Sequence, residues 1–269
     1  MIVLIATIDS SNLGRINKAS LPQQTLMEIL TQELSGNGFF QEVGGGYRDI
    51  RTWTGVAVSD GDVVSIDWRH EENVAARPWS NILSKFGSID LQWIPSTVRV
   101  FDIGNLALRG SVVTSSLPRG MESFKLAGNN FFGDFFLGGL PDMLKRCHVN
   151  NNELTGSLQL ENLPRGLLQV SLSANRFWGT INLTKLPDGM TRCLLGDNAL
   201  SGTVDLTHLP NGLKTLTLGK NDFEGETDFS ELPRSLQFLI VANTRLSGKI
   251  VKNGHSVHVV AGECNVQVV

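Results

Sequence analysis

The chain has little with which to staple, anchor or charge itself. Three cysteines among 269 residues cannot all pair, which excludes the disulfide framework of a small secreted domain. No apolar run approaches the ~18 residues needed to cross a bilayer, so no membrane span is expected. Charged residues make up only 18% and the net charge is −3. That argues against a dedicated nucleic-acid binder while leaving room for a local basic patch. Catalytic motifs are missing as well. No Gly-x-Ser-x-Gly, Cys-x-x-Cys or His-Glu-x-x-His occurs. Gly44-Gly45-Gly46 lacks the Lys-Ser/Thr of a phosphate-binding loop and reads as a tight turn. His255 and His258, near Glu263 and Cys264, read as part of a capping strand rather than as metal ligands. No enzyme, cofactor, metal or small-molecule substrate is expected. Met1 to Ile8 is apolar but has no basic flank, so a strand or a disordered start is expected there rather than a signal peptide.

What is present is a period. Glycine stands at 87, 110, 133, 156, 179, 202, 225 and 248, every 23 residues. Proline stands at 95, 118, 141, 164, 187, 210 and 233, again 23 apart and eight residues after each glycine from Gly87 to Gly225. Fixed self-similarity of this length is the mark of a solenoid. One unit, residues 167–189, reads LLQVSLSANRFWGTINLTKLPDG. Its apolar positions are Leu167, Val170, Leu172, Phe177, Ile181, Leu183 and Leu186, giving L-x-x-L-x-L-x-x-N-x-L. The Val170/Leu172 alternation marks a short strand with one buried face. Asn175 and its equivalents Asn129, Asn152, Asn198 and Asn221 should turn inward and bond neighbouring backbone groups as a ladder. Leu106 and Thr244 break the ladder at its ends, as terminal repeats do. The second half of each unit is too short for a long helix, and extended structure is expected on the convex side.

This pattern is identified as that of leucine-rich repeat proteins over about residues 50–250. The units LPDGMTRCLLGDNALSGTVDLTHLP and LPNGLKTLTLGKNDFEG most resemble the short repeat proteins of kinetoplastid protists. Bacterial LPxxL-type effectors and plant receptor repeats are more distant likenesses. The resemblance implies a β-rich leucine-rich repeat solenoid, with a parallel sheet on the concave face, an extended or irregular convex side and a small α+β N-terminal cap. It says little about function, because the scaffold hosts many binding roles.

The domain plan follows. Residues 1–65 form the cap, residues 66–249 the repeats and residues 250–269 a C-terminal cap. A helix is expected over 22–34, where Leu26, Ile29, Leu30 and Leu34 share a face before Ser35-Gly36. Strand, turn and strand are expected over 53–68, with Asp60-Gly61 at the turn. Trp53, Gly55 and Val56 resemble the plant-type cap motif C-x-W-x-G-V-x-C, but Arg51 and Val58 hold its cysteine positions. The disulfide that the resemblance implies therefore cannot form. Cys147 and Cys193 fall on buried strand positions two repeats apart, about 10 Å and too far to bridge. These features favour a reducing compartment and an intracellular, cytoplasmic location; the sequon Asn182-Leu183-Thr184 would be inert there. The first repeat carries 12 extra residues within 72–86, where Trp79, Ile82, Leu83 and Phe86 have helical spacing. That helix either packs on the solenoid edge or docks a partner.

Outward strand positions can be read from the register. They run from Val100 and Asp102 through Ser123, Lys125, Arg146, His148, Gln169, Ser171, Arg192, Leu194, Thr215 and Thr217 to Phe238 and Ile240. Lys125, Arg146, His148 and Arg192 make the middle of the face basic, and Leu194, Phe238 and Ile240 make its C-terminal end apolar. Either the C-terminal segment covers Phe238 and Ile240 or a partner does. Phe132 and Trp178, each just before a repeat glycine, and Phe136 form a second candidate surface. They pack on each other or on the inserted helix, or they are exposed for contact. The reading is a non-catalytic protein-interaction or scaffolding module with a protein partner or a multi-subunit assembly. It would bind through Lys125, Arg146, His148, Gln169, Arg192, Leu194, Phe238 and Ile240, with the Phe132/Trp178 flank. The alternative is an RNA-contacting component of a ribonucleoprotein that uses Lys125, Arg146 and Arg192 on phosphates.

Overall fold

The computed structural model describes residues 17–34, 40–69, 87–251 and 257–269. Met1 to Ile8, Ser35-Gly36, His70, the inserted segment 72–86 and His255 lie outside the described residues. Each 23-residue unit supplies one short strand to each of two sheets. The first sheet has ten strands. It opens with an antiparallel hairpin, Val56–Ser59 and Asp62–Asp67, turned at Asp60-Gly61 where both φ angles are positive. From there it runs in parallel through Val100–Asp102, Ser123–Lys125, Arg146–His148, Gln169–Ser171, Arg192–Leu194, Thr215–Thr217, Phe238–Ile240 and His258–Val260. This is the concave sheet of a leucine-rich repeat solenoid.

After the ladder asparagine the chain turns into a second parallel sheet of eight strands, from Arg109–Ser111 to Asn265–Val268. The extended second half of each unit is thus hydrogen-bonded to its neighbours rather than irregular. Single 3-10 turns such as Thr114–Ser116, Leu137–Gly139 and Leu160–Asn162 close several units before the Leu-Pro step. The core lies between the sheets. Its concave row is Phe101, Phe124, Cys147, Val170, Cys193, Leu216 and Leu239, and its opposite row is Phe131, Leu154, Phe177, Leu200, Phe223 and Leu246, all fully buried. Burial stabilises each large apolar side chain by about 1.5–3 kcal/mol.

The ladder forms as the spacing predicts. Asn175 Nδ2 donates to the carbonyls of Val149 and Leu172 at 3.0 Å each, and its Oδ1 accepts from the Leu154 amide at 3.1 Å. Asn129, Asn152, Asn198 and Asn221 repeat this bridging between units. The residue before each of the last four holds a left-handed φ: Asn151 55°, Ala174 54°, Asp197 61° and Lys220 55°. Only Asn and Gly adopt that region readily, so the ladder must hold Ala174 and Lys220 there. At the C-terminal end, Thr244 replaces the amide with a hydroxyl that donates to the Val241 carbonyl at 2.7 Å.

The cap closes the N-terminal end of the core. Its helix runs Gln23–Thr31 and buries Leu26, Met27, Ile29 and Leu30. Phe40 sits between Trp53 (ring centroids 4.5 Å apart) and Trp68 (5.2 Å). Where the resembled motif carries a disulfide, Arg51 is exposed on Asp49 and Val58 packs partly buried against the core. Gly55 has a physical reason to be glycine. Its φ is +80°, and a Cβ there would lie 2.4 Å from the Asp67 carbonyl oxygen. Gly55→Ala is expected to cost about 1–3 kcal/mol from the backbone conformation alone, read as a lowered denaturation midpoint. An unchanged midpoint would show that the cap does not depend on this turn. Gly44 and Gly45, with positive φ, make the expected tight turn between the bridged Gln41 and Tyr47.

At the other end, His258–Val260 pairs edge-on with Phe238–Ile240 and extends the sheet. The described part of the C-terminal segment, residues 257–269, continues the solenoid and does not fold over the face. A strand with unpaired backbone groups at a sheet edge gains more from pairing than from crossing side chains.

Candidate binding face

Seven consecutive units bring the outward strand residues onto one surface. Within the concave sheet, parallel pairing aligns Ser123, Arg146, Gln169, Arg192, Thr215, Phe238 and His258 in one column. Lys125, His148, Ser171, Leu194, Thr217, Ile240 and Val260 form the other. Eight of the expected contact residues, Lys125, Arg146, His148, Gln169, Arg192, Leu194, Phe238 and Ile240, are therefore neighbours. Phe132 and Trp178 are not among them. They lie on strands Asn130–Asp134 and Arg176–Gly179 of the eight-stranded sheet, a separate surface.

The electrostatics of the concave face differ from a count of its charges. Lys125 Nζ is 3.2 Å from Asp102, whose carboxylate is buried and is also 3.5 Å from Arg69. Its charge is neutralised locally. Burial pushes His148 below the ordinary histidine value, and Lys125 and Arg192 push it the same way; a hydrogen bond with Gln169 and the Asp102 charge partly oppose this. His148 is thus neutral near pH 7, and the basic patch is narrower than its sequence suggests. Arg146 and Arg192 remain, both exposed, with no salt bridge among the described residues.

Two further cations join them. Lys145 and Lys214 precede the strands Arg146–His148 and Thr215–Thr217, the first half-buried and the second exposed, also without a salt bridge among the described residues. The repeat shows how they could be found. In L-x-x-L the two x positions both point outward, and only the second belongs to a strand. The same position holds Arg99 and Glu122, which pair at 3.9 Å. The acidic strand residues of this face are thus already matched while four cations are not.

The apolar end is exposed. Phe238 retains 47% of its surface, and Leu194 and Ile240 are half-buried beside it. The His258 ring meets Phe238 edge-on, with centroids 5.9 Å apart at 71°. Phe132 and Trp178 on the other sheet, and Phe136 just beyond it at the 3-10 turn Leu137–Gly139, are also exposed, at 45%, 55% and 59%. The Arg109 guanidinium lies 5.9 Å over the Phe132 ring. Phe132 and Trp178 do not pack on each other. They are two strands apart and offset along the strands.

The core thiols are inert by environment. Burial pushes Cys147 and Cys193 up to about 12, so thiolate is negligible near neutral pH. Cys264 is only half-buried. A thiol reagent at mildly alkaline pH should modify Cys264 alone in the native chain and all three cysteines after unfolding. Rapid native modification of Cys147 or Cys193 would contradict their core placement.

No protein-family model and no curated protein matches the chain. Solved structures do. The chain is similar to a plant ice-binding protein at 18% identity, over 91% of this chain and 87% of that one, with a TM-score of 0.61. It is also similar to the plant peptide hormone receptor RGFR1, solved in complex with RGF2, at 19% identity over 64% of this chain and 34% of that one, TM-score 0.52. A third likeness is the Arabidopsis receptor kinase HAESA, solved with the peptide hormone IDA and the co-receptor SERK1. Identity there is 23%, over 61% of this chain and 29% of that one, with a TM-score of 0.51. The chain spans about a third of the length of these two receptors. At such identities the likeness is one of fold, and with the 23-residue period, the asparagine ladder and the paired parallel sheets it gives the architecture its name: a leucine-rich repeat solenoid.

Proposed function

We propose that the chain is a protein-interaction module that binds a peptide or protein segment across its concave sheet. The observation that carries this is the uncompensated row Arg146 and Arg192, flanked by Lys145 and Lys214, continuous with the exposed Phe238, Leu194 and Ile240. Solvent-facing strand positions are ordinarily small and polar, and an exposed apolar cluster beside unpaired charge fits a recognition surface. The two receptor likenesses were solved with peptide hormones, which supports the same use of the scaffold. A cytoplasmic location and kinship with the kinetoplastid repeat proteins belong to this reading as well. The inserted segment 72–86 and the exposed Phe132/Trp178 flank would be secondary contacts in a larger assembly.

The test is co-purification from source lysate. Wild type should carry a partner that Arg192→Glu with Phe238→Ala loses. Retention of the same partner by the double variant means that binding is elsewhere.

The near-complete match to an ice-binding protein favours a second reading. Adsorption to ice calls for a flat, regular array of small side chains. Here Arg146, Arg192 and Phe238 stand exposed on one sheet and Phe132 and Trp178 on the other. The chain is therefore expected to show no thermal hysteresis; a measurable gap between melting and freezing points would favour the ice reading.

A further inference from the structure

Resting on the concave-face reading, we infer the chemistry of the bound segment: an acidic peptide in polyproline II conformation, with the pattern acidic-x-x-acidic-x-x-aliphatic, in either chain direction. Arg146, Gln169, Arg192, Thr215 and Phe238 stand in one column on consecutive parallel strands. Strands are spaced by about 4.8 Å, so Arg146, Arg192 and Phe238 recur at about 9.6 Å. A segment lying across the strands must offer a side chain on one edge at that interval. A β-strand does not, because its side chains alternate and residues three apart point to opposite faces. A polyproline II helix has three residues per turn and rises about 3.1 Å per residue, so every third side chain shares an edge at about 9.3 Å.

Charge sets what those side chains are. The chain as a whole is net negative at −3, yet Lys145, Arg146, Arg192 and Lys214 face the solvent on this surface without acidic partners among the described residues. Lys145 sits next to Arg146 in sequence and widens the first acidic position. Guanidinium groups bind carboxylates with a geometry that ammonium does not match. The third position falls on Phe238, with Leu194 and Ile240 in the adjoining column, and takes an aliphatic side chain. The intervening Gln169 and Thr215 place hydrogen-bonding groups under the polyproline II backbone, whose own amides and carbonyls are unpaired. An RNA strand suits the face less well. Base recognition by stacking uses successive aromatic platforms, and this face offers one phenyl ring, already met edge-on by His258.

The experiment uses the full chain and a fluorescein-labelled peptide, Ala-Glu-Pro-Pro-Glu-Pro-Pro-Leu-Ala, followed by fluorescence polarisation. Controls are a same-composition peptide with the two glutamates adjacent, a Glu→Lys version and a short oligouridylate. The expected result is saturable binding of the first peptide, weakening by about tenfold or more from low to physiological salt. Arg146→Glu and Arg192→Glu should each weaken it about tenfold or more. Phe238→Ala should weaken it by several fold while leaving the salt dependence unchanged. Equal binding of the adjacent-glutamate peptide overturns the spacing. Binding of oligouridylate without the peptide overturns the peptide class in favour of RNA. If no peptide binds, yet a cellular partner is still lost on Arg192→Glu with Phe238→Ala, the proposed pattern is wrong while the concave contact stands. If the partner also survives the double variant, both fail.

Discussion

Asn175→Ala is expected to lower stability by about 3–5 kcal/mol. The amide bridges two adjacent units. It takes the Leu154 amide and gives to the carbonyls of Val149 and Leu172. Alanine removes these partners without giving the backbone groups water in return, and each unsatisfied group costs about 1–3 kcal/mol. Asn175→Asp should do no better. It keeps the acceptor but turns a carboxylate toward two carbonyl oxygens. Position along the stack matters too. Each repeat contacts only its neighbours, so a central break uncouples the two halves. Thr244→Ala, at the last ladder position, removes a hydroxyl that donates to the Val241 carbonyl at 2.7 Å and accepts a long bond from the Leu246 amide at 3.4 Å, and should cost only about 1–2 kcal/mol. Chemical denaturation followed by circular dichroism gives both values. Equal losses at Asn175 and Thr244 would show that the ladder is not a cooperative element.

Arg146→Glu combined with Arg192→Glu is expected to weaken partner binding by about a hundredfold or more while leaving the denaturation midpoint nearly unchanged. Both side chains are exposed and have no salt bridge among the described residues, so their loss breaks no ion pair there, and surface changes of this kind stay within about 0.5 kcal/mol. Reversal also places like charges against an acidic partner, which costs more than deletion. The remaining affinity should lose most of its salt dependence. Lys125→Glu makes an instructive contrast. It would set a second carboxylate beside the buried Asp102, 3.2 Å from the present ammonium, and would destabilise the fold itself. A loss of binding in that variant would therefore say nothing about recognition. Calorimetry of the purified complex, with thermal melts of each variant, separates the cases. A double variant that binds normally would remove the charged row from the account.

The concave face was legible because a single period ties chemistry to geometry. Once glycine and proline had set the 23-residue register, the pairs from Val100 and Asp102 to Phe238 and Ile240 fell on strand residues, and the structure places them there. Cys147 and Cys193 were legible for the same reason, since each replaces a buried strand residue. Pairing between side chains was not. Asp102 looks exposed from its register, yet Lys125 and Arg69 allow it to be buried, and the depressed basicity of His148 follows first from its burial and then from Lys125 and Arg192, one and two strands away. The second sheet was hidden because its register is offset from the repeat. Phe132 pairs with Glu153 and Phe177 with Gly156, 21 residues apart rather than 23. The C-terminal strand His258–Val260 was legible as a capping strand, but its pairing beside Phe238–Ile240 was not, because it carries none of the glycine and proline markers that set the register.

The central claim is that the concave sheet, and no other surface, makes the primary contact. Site-specific photo-crosslinking tests it most directly. One chain would carry a photoreactive residue in place of Gln169, at the middle of the concave column. A second would carry it in place of Asp205, exposed beyond the other sheet, and a third in place of Trp178. The chain substituted at position 169 is expected to crosslink the partner, and the other two to give little product. Strong crosslinking from position 178 or 205, with none from position 169, would contradict it.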